Sequence, residues 1–154
     1  MLHETHLNWL RQLIACRSVT PNDDNAQHLI CKIVKKIFPE LQLQIQTAHS
    51  ETTHNTSVII NGTSKKLTFA GHTDVVPADQ GDWQSDPFQL TARENRCFGR
   101  GIVDMKGAII CFLAALDNLR QKNIPLPTVQ IILTSDEEGS GQRTTTYLRK
   151  NFFF

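Results

Sequence analysis

The chain has 154 residues, a formal net charge of +1, 40% hydrophobic residues and 20% charged residues. That length fits one domain with a real core, and the near-neutral charge argues against a nucleic-acid or membrane-surface binder, since both usually carry a basic excess. No apolar run approaches the ~18 residues of a membrane span, and the N-terminus lacks the continuous apolar stretch of a signal peptide. The four cysteines, Cys16, Cys31, Cys97 and Cys111, form no C-x-x-C pair. They read as free thiols in a reducing cytoplasm.

Residues 5–16 place Leu7, Leu10, Leu13 and Ile14 on one face, the pattern of an amphipathic helix. Ser18-Val-Thr-Pro-Asn is a break rich in turn formers. A second helix is expected from about residue 23 to 38, ended by Pro39. Leu41, Leu43 and Ile45 alternate with glutamines, as in a half-buried strand. Residues 57–61 and 67–71 read as two short strands, and 77–87 as a surface loop. A strand near 96–99 precedes the most apolar helix, from about Met105 to Gln121, which should be buried. Residues 128–134, TVQIILT, suit a central strand, and a last helix is expected from near Gly141, carrying Tyr147 and Leu148. Helices interleaved with short apolar strands imply a layered α/β domain. Phe152, Phe153 and Phe154 break this order, as if the chain were cut short or shifted frame after Asn151.

Three segments carry ionisable groups at the ends of apolar elements: Gly71-His-Thr-Asp-Val-Val-Pro, Gly99-Arg-Gly-Ile-Val-Asp-Met-Lys-Gly and Thr134-Ser-Asp-Glu-Glu-Gly. Such strand ends are where open α/β sheets place their sites. His72 and Asp74 are two apart, so on extended chain both point to one side. The pair could join a metal-ligating imidazole to the carboxylate that orients it, or be only a polar loop. Asp104 could bridge two ions, or simply cap the long helix. Asp136, Glu137 and Glu138 repel one another unless water or a cation screens them, and could equally be a solvated first helical turn. A dinucleotide fingerprint fails, because Asp104 stands where the motif beginning at Gly99 needs glycine as its sixth residue.

Taken together and in this order, the three segments resemble the di-zinc amidohydrolases and exopeptidases. That family includes the succinyl-diaminopimelate desuccinylases, the acetylornithine deacetylases and carboxypeptidase G, and the wording here is most like the desuccinylases. The resemblance covers about residues 5–150 and corresponds to the N-terminal portion of a family member. It implies a layered α/β/α zinc-exopeptidase-like catalytic domain, partial over residues 1–151, with 152–154 an aberrant tail and the lid and dimerisation domain absent. It further implies that His72 ligates one zinc, Asp104 bridges both, and Glu138 ligates the second. Glu137 would be the general base and Asp74 would orient His72. The resemblance also implies a cis peptide bond at Asp104-Met105.

The implied cofactor is zinc, two ions per subunit, with cobalt as an alternative. The implied partner is a small-molecule substrate, N-succinyl-diaminopimelate, in lysine and diaminopimelate biosynthesis, without nucleic acid or membrane. Full-length relatives would be homodimers. An acetylornithine deacetylase, a dipeptidase or a non-catalytic metal-binding remnant are the other readings. The family's further acidic ligand and a histidine would lie beyond residue 154, leaving two protein ligands for each zinc against the usual three. Weak metal binding and little turnover are therefore expected of this chain.

Overall fold

The computed structural model describes residues 3–49, 53–78, 83–141 and 146. The helix expected from Gly141 with Tyr147 and Leu148, and the tail 152–154, lie outside the described residues.

Two helices open the chain, α1 (Glu4–Ala15) and α2 (Ala26–Ile37). Strands β1 (Gln44–His49), β2 (His54–Ile60) and β3 (Thr63–His72) follow, then the short β4 (Thr91–Arg93) and β5 (Arg96–Phe98). A π-helical turn, Ile102–Lys106, leads into α3 (Gly107–Gln121), and β6 (Pro127–Thr134) ends the series. The main sheet runs β1-β2-β6-β3, with β6 antiparallel to β2 and parallel to β3, while β4 and β5 form a separate antiparallel pair.

Alternation along β6 sorts its side chains: Val129, Ile131 and Leu133 are fully buried on the face they share with Val58 and Ile60 of β2. Against that face pack Leu10, Leu13 and Ile14 of α1, Ile30, Ile33 and Val34 of α2, and Ile109, Ile110 and Leu113 of α3. The expected burial of α3 is seen in these residues. Phe69 of β3 joins the same layer, stacked on Phe112 with ring centroids 4.4 Å apart.

Three local expectations change. Leu41 and Leu43 precede β1 and pack against the core from a connecting segment, so their alternation with glutamine marks half-burial without strand pairing. The second helix begins at Ala26 with Asn25 at its N-cap, which releases Asp23 for another task. The third helix proper begins at Gly107, with Lys106 at its N-cap and no side-chain cap, so Asp104 is not a helix cap. Its backbone lies outside the helical region, at φ −126° and ψ 101°. The Asp104-Met105 peptide bond is cis, as the resemblance implied. Among the described residues no helix is long and apolar enough to cross a membrane.

Candidate metal centre

β3 and β6 run parallel, and His72 is in register with Thr134, so both strands end side by side. β3 delivers His72 and then Asp74 at this edge; β6 delivers the turn holding Asp136, Glu137 and Glu138. The third contribution comes from the turn before α3. Gly101 sits there at φ +81°, and any Cβ would meet the Val75 side chain at 2.6 Å, so the chain can reverse here only with glycine. Gly71 leaves room for Met105, whose side-chain end a Cβ would meet at 2.8 Å and whose sulfur accepts from the His72 amide at 3.4 Å.

These elements bring one nitrogen or oxygen of His72, Asp104 and Glu138 within 4.8 Å of one another. His72 Nδ1 lies 3.0 Å from the Asp74 carbonyl oxygen. A carbonyl can only accept, so Nδ1 carries the proton and Nε2 faces the acids. Nε2 stands 3.0 Å from Asp104 Oδ1 and 3.8 Å from Glu137 Oε2. The Asp74 carboxylate lies 3.5 Å from His72 Nδ1 and accepts the backbone amides of Glu137 (3.4 Å) and Glu138 (3.1 Å). One buried carboxylate therefore ties the histidine-bearing turn to the acidic turn. Asp136 is not one of the three converging residues: it is buried and accepts the Ser140 hydroxyl at 3.2 Å.

The electrostatics follow from this crowding. Burial disfavours the charged His72 ring, but hydrogen bonds to Asp74 and Asp104 outweigh it and hold the ring up at about 9. Burial also raises Asp74, yet the His72 ring and the Glu138 amide more than offset this and leave it below the ordinary carboxylate range. Glu138 is pushed up by partial burial and by the negative charges of Asp104, Glu137 and Asp74, against the pull of His72. One imidazole and several converging carboxylates form a donor set that suits zinc and the neighbouring divalent ions.

The five residues singled out in sequence are thus gathered at one sheet edge. Sequence reasoning overlooked Ser18, Asp23, Thr73 and Lys106, which are buried directly behind them. Ser18 and Asp23 looked like parts of a turn, and nothing in their spacing announces a partner some 50 residues away.

Residues 68–151 match Peptidase family M20/M25/M40. A succinyl-diaminopimelate desuccinylase from Blochmanniella floridana is 41% identical over 147 residues, covering 92% of this chain and 37% of that protein. Another from Rickettsia felis is 36% identical over 144 residues, covering 91% of this chain and 38% of its own length. An M20 family metallo-carboxypeptidase from Sulfolobus solfataricus superposes with a TM-score of 0.83 at 24% identity, over 97% of this chain and 35% of that one. Human carnosine dipeptidase 1 gives 0.75 at 22% identity, over 97% and 36%. At such identities the two structures speak to the fold: a mixed α/β layer arrangement of which this chain spans little more than a third of each neighbour's length. With more than half of its length matched and the architecture shared, the chain belongs to peptidase family M20/M25/M40.

Proposed function

We propose that this chain is the metal-holding N-terminal part of an amide hydrolase that removes succinate from N-succinyl-diaminopimelate. The observation that carries the reading is the convergence of His72, Asp104 and Glu138 within 4.8 Å at one sheet edge. The substrate class rests on the curated relatives, which are desuccinylases.

His72, through Nε2, and the carboxylates of Asp104 and Glu138 would hold zinc, with Asp104 shared between two ions. Zinc bound here would polarise the amide carbonyl and lower the pKa of water to about 7. Glu137 takes the proton from the attacking water. It does not need to hold metal, it is exposed, and its carboxylate reaches the same space, 3.8 Å from His72 Nε2. The proton it collects is then available to the leaving amine. Asp74 orients His72 and, by accepting the amides of Glu137 and Glu138, fixes where the base and the ligand begin. Cobalt would serve in place of zinc, since the same donors suit both ions.

The test places residues 1–151 in front of the remaining part of the Blochmanniella floridana relative. That hybrid should release succinate from N-succinyl-diaminopimelate in a zinc-dependent manner, with acetylornithine a poor substrate. Glu137→Gln should lower kcat by about 10²–10⁴, the usual contribution of general acid–base catalysis. A folded hybrid that loads zinc and leaves N-succinyl-diaminopimelate intact would overturn the reading. Preferential turnover of acetylornithine or of a dipeptide would move it to another branch of the family.

A further inference from the structure

Thr73 lies between two site residues, so its side chain points away from them, to the back of the site. It is fully buried and each of its polar groups is engaged. Its amide donates to the Thr134 carbonyl at 2.8 Å. Its carbonyl accepts the Ser18 hydroxyl at 2.7 Å. Its own hydroxyl donates to Asp23 Oδ1 at 2.7 Å and accepts from Gln27 Nε2 at 3.3 Å. Asp23 is held in turn by the amide of Gln27, at 3.2 and 3.3 Å to its two oxygens.

Ser18 and Asp23 belong to one short segment, the strap from Cys16 to Asp23 that links α1 to α2. The strap reaches all three motif segments. Its Cys16 carbonyl accepts the Lys106 ammonium at 2.8 Å, two residues after Asp104. Its backbone pairs with Val75, Ser18 accepting the Val75 amide at 2.9 Å and Thr20 donating to the Val75 carbonyl at 3.0 Å. Its Pro21 carbonyl accepts the Ser135 hydroxyl at 3.1 Å, beside the acidic turn. The site is therefore assembled on the strap as much as on the sheet.

We propose that Ser18 and Asp23 are positioning residues of the metal centre, gripping Thr73 from two sides so that His72 and Asp74 present their side chains at a set spacing toward Asp104 and Glu138. This rests on the metal reading of the site and adds residues to it. The physical case is that ligand geometry is set by the partners behind the ligands, whose removal typically costs about 10–100-fold in metal affinity. Here those partners are strap residues that touch no metal.

The experiment is a Co²⁺ titration of the 154-residue chain, followed by visible absorption, with far-UV circular dichroism and thermal melts recorded on the metal-free protein. Thr73→Val is isosteric and removes only the hydroxyl that Asp23 and Gln27 engage. Ser18→Ala removes the hydroxyl on the other side. Thr73→Ser keeps the hydroxyl. Expected is a loss of Co²⁺ affinity of about 10-fold or more for Thr73→Val and Ser18→Ala, measured well below their melting temperatures, with Thr73→Ser close to the wild type. A purely structural role would lower the melting temperature and leave the affinity of the folded protein unchanged, and that result overturns the inference alone. A wild-type chain that takes up no Co²⁺ overturns the metal reading and this inference with it. Should one of the two variants not fold, the other decides.

Discussion

The site has two unlike halves. The side chains of His72 and Asp74 are 6% and 0% exposed, whereas those of Asp104 and Glu137 are 69% and 58% exposed. The inner half sits at the end of a paired strand, where His72 Nδ1 donates to the Asp74 carbonyl and the Asp74 carboxylate accepts two backbone amides. The outer half stands on a turn and a loop, where water carries the charge. Fold stability therefore depends on the inner half, and the outer half is free to respond to a cation. This is a common division in metal sites, where rigid partners orient a ligand and open positions receive the ion.

The contrast is sharpest for Asp74. Asp74→Ala should destabilise the metal-free chain by about 3–5 kcal/mol in urea unfolding, because it breaks a buried charged network and strands two amides. A cost below about 1 kcal/mol would show that the inner half is not held as drawn, since that is the range of an exposed ion pair.

Metal should act on the outer half. Zinc at about 100 times its dissociation constant should add about 2.7 kcal/mol to stability, and EDTA should remove the gain. Thermal melts with and without chelator measure it. An unchanged melt would return Asp104, Glu137 and Glu138 to the status of ordinary solvated acids.

Acidity separates the halves again. His72 is raised from its ordinary 6.5 to about 9, so the stability it contributes is complete below pH 6.5 and is lost as pH rises through about 9. Melts of the metal-free chain between pH 6.5 and 9 should decline, and His72→Gln should flatten the decline. Metal affinity should run in the opposite direction, rising over the same window, because the ion must displace the proton from Nε2.

The smallest effect belongs to Asp104→Ala. In the metal-free chain it should cost no more than about 1 kcal/mol, the range of a largely exposed ion pair, through the lost contact with His72, while sharply weakening Co²⁺ binding. A large stability loss without metal would erase the distinction between the halves.

The fold was legible where the pattern is local. The 3.6-residue spacing of Leu10, Leu13 and Ile14, and of Ile30, Ile33 and Val34, appears as buried helix faces. The apolar run ending in Leu133 is a central strand, flanked by β2 and β3. What misled was also local: Leu41 and Leu43 alternate as a strand does, yet they pack from a connection, since half-burial alone produces the same period.

For the site, residue types and spacing marked the three glycine-flanked segments, and it was their resemblance to the di-zinc family that singled out His72, Asp74, Asp104, Glu137 and Glu138 within them. The sequence left open whether Asp104 caps a helix. Only the tertiary structure closed that question, by starting α3 at Gly107 and turning Asp104 toward His72. Nor could the sequence reveal the strap. Ser18 to Thr73 and Asp23 to Thr73 span 55 and 50 residues. A hydrogen bond between such distant positions leaves no period, spacing or composition along the chain. It exists because the sheet and α1 pack together, and burial then requires each enclosed polar group to find a partner.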